Sequence, residues 1–307
     1  MQRREFIGVT TGAFAGALAG SLVASAEGSA ATPLLQRIIP SSGEKIPVIG
    51  LGTSGPFEVG FAAEQRAPLS AVLEAFFAGG GTFIDNSPMY STAEAVLGDL
   101  LTPAMQERAF IATKVWTRGE QDGVRQMTRS RELLRRRKID LMQVHNLLDL
   151  DIHLRTLRRW KAEGRIRYIG ITHYTVASQE TLAEIIRREP IDFVQFNYSA
   201  TTTAAENTLL PLCADRGVAT IVNRAFDDGK IFAQLRGKAL PGWAADIGCS
   251  SWAQVLLKYV ISHPAVTCVI PATGKVTNLQ DNLAAGRGPL PDAELRRTIA
   301  ATVQQAG

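Results

Sequence analysis

From residue 48 to residue 285, short apolar runs alternate with longer amphipathic stretches, and no other feature constrains this chain as strongly. The apolar runs are Val48–Thr53, Thr82–Ser87, Phe110–Trp116, Ile139–Asn146, Tyr168–Tyr174, Phe193–Ser199, Ala219–Phe226 and Thr267–Thr273. Between them lie helical candidates at Leu69–Ala78, Asp122–Arg137, His153–Glu163, Ser178–Arg188, Ala205–Arg216, Ser251–Ser262 and Asn278–Ala285. Strands that alternate with helices form parallel βα units. Eight of them in one chain predict an α/β fold, a closed (β/α)8 TIM barrel, which typically takes about 250 residues. An open doubly wound sheet is the rival. Gly79, Gly164 and Gly217 read as left-handed C-caps. An N-terminal β-hairpin over Arg37–Val48, turning near Ser41-Ser42-Gly43, precedes the barrel. A C-terminal extra helix in "LPDAELRRTIAATVQQAG" follows it. No linker interrupts residues 31–307, which read as a single domain.

Residues 1–30 do not share the pattern. Arg3-Arg4 and Phe6 lead into a Gly- and Ala-rich run that ends in small-residue cleavage sites, Ala24-Ser25-Ala26 or Gly28-Ser29-Ala30. That order is a secretory signal, and the arginine pair is the twin-arginine address. The expectation is a cleaved signal, passage through the twin-arginine translocase and a periplasmic or otherwise exported mature protein. The run is too weakly apolar to predict a stable membrane span.

Charge and cysteines narrow the function classes. A net charge of +4 on 307 residues is too small to predict nucleic-acid binding. The densest basic run, Arg135-Arg136-Arg137-Lys138, falls where a helix should end, and cations suit a helix C-terminus. Cys213, Cys249 and Cys268 show no C-x-x-C spacing, so neither a disulfide framework nor a metal site is expected.

In a (β/α)8 barrel the active face lies at the C-terminal ends of the strands. The polar residues there are Thr53, Asp85, Lys114, His145, Thr172, His173, Gln195, Asn197, Asn223, Arg224 and Thr273, with Tyr90 just beyond Asp85. Tyrosine is a poor proton donor at neutral pH. A neighbouring ammonium stabilises the phenolate, and a carboxylate behind it holds the lysine in place. Asp85, Tyr90 and Lys114 therefore read as a tuned general acid whose pKa is lowered. His145 can donate a hydrogen bond to a substrate oxygen or relay a proton. A site that protonates an oxygen while hydride adds to carbon suits carbonyl reduction, and a nicotinamide would have to bring the hydride. Phe57 and Trp116 read as walls of the substrate pocket.

The pieces "VIGLGT", "FIDNSPMYSTAEAVLG", "FIATKVW", "IDLMQVHN", "YIGITHYT", "DFVQFNYS" and "VIPATGKVTNLQDNL" together resemble the aldo/keto reductases along nearly the whole mature length. The resemblance implies a catalytic tetrad of Asp85, Tyr90, Lys114 and His145, a small-molecule carbonyl substrate, and NADP(H) across the barrel mouth. It also implies cofactor contacts at Thr53, Asp85, Thr172, His173, Gln195, Asn223, Arg224, Thr273, Lys275, Asn278, Asp281 and Asn282. Gln195 would hold the nicotinamide carboxamide, and Asp281-Asn282 the adenine.

The chain departs from the family pattern in places. Thr172-His173 stands where members often have Ser-Asn, and Asn223-Arg224 where an aromatic often stacks on the nicotinamide. Ala272 and Asn278 replace the Lys and Arg that in many members grip the 2′-phosphate. Lys275 partly compensates, and NADP(H) is expected over NAD(H). In many members a long C-terminal loop covers the pocket; the single capping helix here predicts a more open one. Two other functions fit the same residues. One is a reductase-like binding or regulatory protein with weak or lost catalysis; the other is a hydrolase or isomerase using Asp85 and His145. Asp85 as a turn cap, Lys114 as a strand-end lysine and His145 as a core histidine are the plainer accounts of single residues.

Overall fold

The computed structural model describes residues 32–306, so the proposed signal segment lies outside the described residues. Strands β1 (Gln36–Ile38) and β2 (Lys45–Pro47) form the expected antiparallel hairpin. Eight parallel strands follow: β3 (Leu51–Gly52), β4 (Phe83–Asp85), β5 (Phe110–Val115), β6 (Ile139–His145), β7 (Ile166–Thr172), β8 (Phe193–Asn197), β9 (Ala219–Asn223) and β10 (Cys268–Val269). Each pairs with its sequence neighbour, and parallel bridges Ile49–Val269 and Gly52–Ala272 join the first strand to the last. The sheet is a (β/α)8 barrel. This disposes of the open-sheet alternative.

Among the described residues the helices are α1 (Ala63–Ala78), α2 (Ala93–Leu100), α3 (Pro103–Arg108), α4 (Glu120–Leu133), α5 (Leu150–Ala162) and α6 (Gln179–Arg188), then α7 (Leu209–Arg216), α8 (Lys230–Gln234), α9 (Trp243–Asp246), α10 (Trp252–Ser262), α11 (Val276–Ala285) and α12 (Ala293–Gln304). None is long and apolar enough to cross a membrane. The sequence pattern missed α2, α3, α8 and α9, which are too short to display a helical period. It also began α1 at Leu69, just after Pro68, although the helix runs through that proline. Gly164 and Gly217 do adopt left-handed φ values of 70° and 65°, but after α1 that role falls to Gly80, at 90°, and not to Gly79. The basic run leaves α4 and finds partners: Arg135 pairs with Asp99, and Arg136 with Asp140 at 2.9 Å. All three cysteines are buried and free.

Period-two alternation splits the apolar residues into two cores. Outward side chains such as Ile84, Ile111, Val144, Ile171, Val194 and Val222 pack beneath the helices. Inward ones (Phe83, Phe110, Ala112, Leu141, Tyr168, Phe193, Ile221 and Cys268) fill the barrel, with Ile39 and Ile46 of the hairpin segment closing its floor. Tyr168 donates to Ser42 Oγ at 2.7 Å, and Arg167 pairs with Glu44, tying the hairpin to β7. Toward the C-terminal ends, the same inward face turns polar. Asp85 lies two residues beyond Phe83, Lys114 two beyond Ala112, Gln143 and His145 two and four beyond Leu141, and Gln195 two beyond Phe193. Strand register therefore converges these groups on the barrel mouth: Asp85 pairs with Ala112, Lys114 with Gln143, His145 with Thr172, and Thr172 with Gln195.

Candidate active site

At the centre is a buried ion pair. Lys114 is fully enclosed, and its Nζ donates to Asp85 Oδ2 at 2.7 Å and to the Asn86 carbonyl at 2.6 Å. The other carboxylate oxygen of Asp85 accepts from Gln195 Nε2 at 2.9 Å and from Gln143 Nε2 at 3.3 Å. Burial works against the Lys114 charge, but Asp85 and then Tyr90 outweigh it and hold the ammonium above its ordinary pKa. Lys114 is therefore a fixed cation, not a base.

Tyr90 reaches this pair because the chain turns back after β4, with the Tyr90 N–H donating to the Ser87 carbonyl at 3.0 Å. The Lys114 ammonium lies 4.9 Å from the centre of the phenol ring. The expected direction of tuning is corrected here. Burial raises the phenol pKa, Lys114 pulls it back only in part, and the net shift is upward. Desolvation of the phenolate is the larger effect because the barrel mouth is lined by ring and aliphatic surface.

Electrostatics bear on the protonation of His145. Burial, then Lys114, then His173 push its pKa down to about 3. The ring is neutral near pH 7, so it can donate one N–H but does not act as a cationic acid. Its ring meets Tyr90 edge-on and lies beside Trp116, both at 6.3 Å between centroids.

These groups open into a cavity of about 660 Å³. Thr53, Asp85, Tyr90, His145, Thr172, Gln195, Asn223 and Arg224, all named from the sequence, line it. Thr53 is buried, its hydroxyl donating to the Asp85 carbonyl at 2.9 Å, and Thr172 donates to Gln195 Oε1 at 2.9 Å. Gln195 is thus committed on both amide atoms, leaving one hydrogen and one lone pair for a ligand. Asn223 Oδ1 is buried without a hydrogen-bond partner among the described residues. Arg224 stacks its guanidinium on Tyr174 at 4.4 Å and pairs with Asp228 at 3.3 Å.

Other predicted residues do not line this cavity. Phe57 is fully buried in the outer core and does not face the cavity, because the turn after Thr53 folds its ring inward. Trp116 is a rim residue beside His145, 39 % exposed, and not a wall of the main cavity. His173 is half-buried, and its Nδ1 accepts from the Tyr174 and Thr175 N–H groups at 3.0 and 3.3 Å. Asp281 is taken at both oxygens, by Ser251 Oγ at 2.7 Å and Gln254 Nε2 at 2.6 Å, and ties α11 to the start of α10. Thr273 is buried and its hydroxyl accepts the Lys275 N–H at 3.2 Å. Lys275 and Asn278 are exposed in the first turn of α11 and just before it, and Asn282 is buried on the same helix.

Other residues of the site carried no strand-end signal. Gln143 sits within an apolar run, and Gly170 on the next strand leaves it room, since a Cβ there would come within 2.9 Å of Gln143 Cγ. Met89 lines the cavity from the turn after β4, Asn146, Tyr174 and Phe226 from the loops just beyond β6, β7 and β9, and Phe232 from α8. Two of these loops hold left-handed backbone at non-glycine positions: Asn146, Leu147 and Asp149 after β6, and Arg224, Asp227 and Asp228 after β9. Such residues cost of order 1–3 kcal/mol each and gather where a site must be held in shape.

Comparison with known proteins covers most of the chain. The profile of the Aldo/keto reductase family matches residues 48–301. Methylglyoxal reductase YeaE of Escherichia coli (strain K12) is 29 % identical over 268 residues, covering 85 % of this chain and 93 % of that protein. Among solved structures, an aldo-keto reductase from Klebsiella pneumoniae in complex with NADPH superimposes with a TM-score of 0.73 at 23 % identity, covering 89 % of this chain and 95 % of that one. The holo form of aldo-keto reductase AKR11C1 from Bacillus halodurans does so with a TM-score of 0.70 at 20 % identity, covering 89 % and 96 %.

Proposed function

This chain belongs to the aldo/keto reductase family, and from that premise we propose that it reduces a small aldehyde or ketone to an alcohol, with NADP(H) as cofactor and Tyr90 as the proton donor. One observation carries the reading: a fully enclosed ammonium, pinned by Asp85, lies under the phenol of Tyr90 at the mouth of a cavity that His145 also lines.

A bound nicotinamide supplies the hydride that adds to the carbonyl carbon. The chain's own groups handle the oxygen. Neutral His145 donates its free N–H to it and fixes its direction. As negative charge develops there, Tyr90 gives up its proton. A raised phenol pKa does not forbid this transfer, because an alkoxide is a far stronger base than a phenolate. Lys114 then stabilises the phenolate until solvent restores the proton, and Asp85 keeps the ammonium in place.

Residues at the mouth fit the cofactor. A carboxamide offers N–H donors to the unpartnered Asn223 Oδ1 and to the remaining lone pair of Gln195. Lys275, exposed before α11 and without an ion pair among the described residues, supplies a cation for a 2′-phosphate. The Klebsiella relative, solved with NADPH, supports the phosphorylated form of the nucleotide. Titrating the purified protein with NADPH and NADH, followed by fluorescence, tests this directly. NADPH is expected to bind more tightly; correctly folded protein that binds neither nucleotide would sink the reductase reading in favour of a catalytically silent relative. Methylglyoxal, for which the Escherichia coli relative is named, is a reasonable first carbonyl to assay.

Arg3-Arg4 and the small-residue run to Ala30 support a second part of the proposal, export through the twin-arginine translocase. Replacing both arginines by lysine should retain the protein in the cytoplasm at its full mass. Cell fractionation that finds this variant exported as efficiently as the parent would reject that route.

A further inference from the structure

Ser87 lies directly behind His145 and takes no part in the chemistry described so far. We propose that Ser87 is a positioning residue that locks His145 in one neutral tautomer, with the proton on Nε2. The side chain is fully buried, and its Oγ stands 3.2 Å from His145 Nδ1. A serine hydroxyl has one proton to give and lone pairs to accept with. One lone pair is taken by the backbone N–H of Met89, at 3.1 Å. Among the described residues, the only hydrogen-bond partner left for the hydroxyl proton is the imidazole nitrogen. The proton therefore goes to Nδ1, which must carry none of its own, and the single proton of the neutral ring sits on Nε2.

The reverse tautomer is disfavoured by the same count. With a proton on Nδ1, the ring would donate to Oγ and the hydroxyl proton would be left without a partner in a fully enclosed position, which is costly. The Met89 N–H fixes the position of Oγ, and the Ser87 N–H, donating to Asn86 Oδ1 at 2.7 Å, fixes the turn that carries it. The imidazole ring is confined as well, edge-on to Tyr90 and against Trp116. The turn at residues 86–89 thus does two things: it returns Tyr90 to the mouth, and it tells His145 which nitrogen holds the proton.

The consequence for turnover rests on the reading that His145 hydrogen-bonds the carbonyl oxygen; the tautomer assignment does not. The test is long-range proton–nitrogen NMR of histidine-labelled full-length protein, with the His145 signals identified by their loss in His145→Asn. Wild type should show a single Nε2–H tautomer. Ser87→Ala, and Ser87→Cys as a variant of similar size with a weak donor, should show a mixed population, and Ser87→Thr should restore the single form. Carbonyl turnover, kcat, should fall about tenfold in the alanine and cysteine variants, with the KM for NADPH unchanged and with recovery in the threonine variant. An Nδ1–H tautomer in wild type, or an unshifted tautomer in both Ser87→Ala and Ser87→Cys, would overturn the assignment. A shifted tautomer with undiminished turnover would support the role of Ser87 and overturn the carbonyl-orienting role of His145.

Discussion

Replacing Tyr90 by phenylalanine is expected to lower carbonyl reduction by about 10²–10⁴-fold, the usual worth of a positioned general acid, while leaving cofactor affinity nearly intact. The variant removes one oxygen and its proton from a ring that otherwise stays packed over Lys114 and beside His145. His145 offers no replacement acid, because its ring is neutral down to about pH 3. Lys114 offers none either, because Asp85 and Tyr90 hold its proton above the ordinary lysine pKa. A pH profile checks the same assignment without mutation. The donor must be protonated to act, and burial raises its pKa, so reduction should hold steady through neutral pH. It should fall only above about pH 10, the ordinary tyrosine value. Unchanged turnover in Tyr90→Phe, or a fall in rate already complete below about pH 8, would remove Tyr90 from the role of acid, since a phenol with a raised pKa remains protonated there.

What the sequence made legible follows from where each residue stands on its strand. Asp85, Lys114 and His145 could be read because each is a charged or titratable residue at or near the end of an apolar run, and parallel strands deliver all such ends to one face. Gln143 could not. It stands mid-strand between Met142 and Val144, and only register reveals that it faces Asp85. Ser87 carries no site signal in the sequence, yet from the turn after β4 its hydroxyl meets His145 across the barrel mouth. Phe57 was misplaced because an aromatic near a rim has the same sequence signature whether it turns inward or outward. Asp281 matched the family's spacing, yet the partners that occupy it, Ser251 and Gln254, lie on another helix. The sign of the Tyr90 shift depended on how much burial the loops impose, and periodicity carries no information about loops. Helices α2 and α3 fall in the same blind region, although Thr102-Pro103 does mark the start of α3, with the Thr102 hydroxyl accepting the Met105 N–H at 3.3 Å.

Lys114→Met is expected to destabilise the fold by about 3–5 kcal/mol, the cost of leaving one member of a buried ion pair without the other. The substitution removes the donor from Asp85 Oδ2 and from the Asn86 carbonyl, leaving the carboxylate with only the amides of Gln195 and Gln143 on its other oxygen. The double variant Asp85→Asn/Lys114→Met removes the uncompensated charge while keeping an oxygen for the two glutamines. It should regain a good part of the loss, because a buried pair often contributes little net stability over neutral groups of similar size. Urea unfolding midpoints of the wild type and the two variants measure this. Turnover should not return with stability, since the double variant has no cation beneath Tyr90 to stabilise the phenolate. A Lys114→Met protein as stable as wild type would mean that the Asp85 charge does not depend on its partner. Recovery of both stability and turnover in the double variant would mean that the ion pair serves packing alone. The separation expected here, stability regained and chemistry not, is what distinguishes a pair retained for the phenol above it from one retained for the barrel around it.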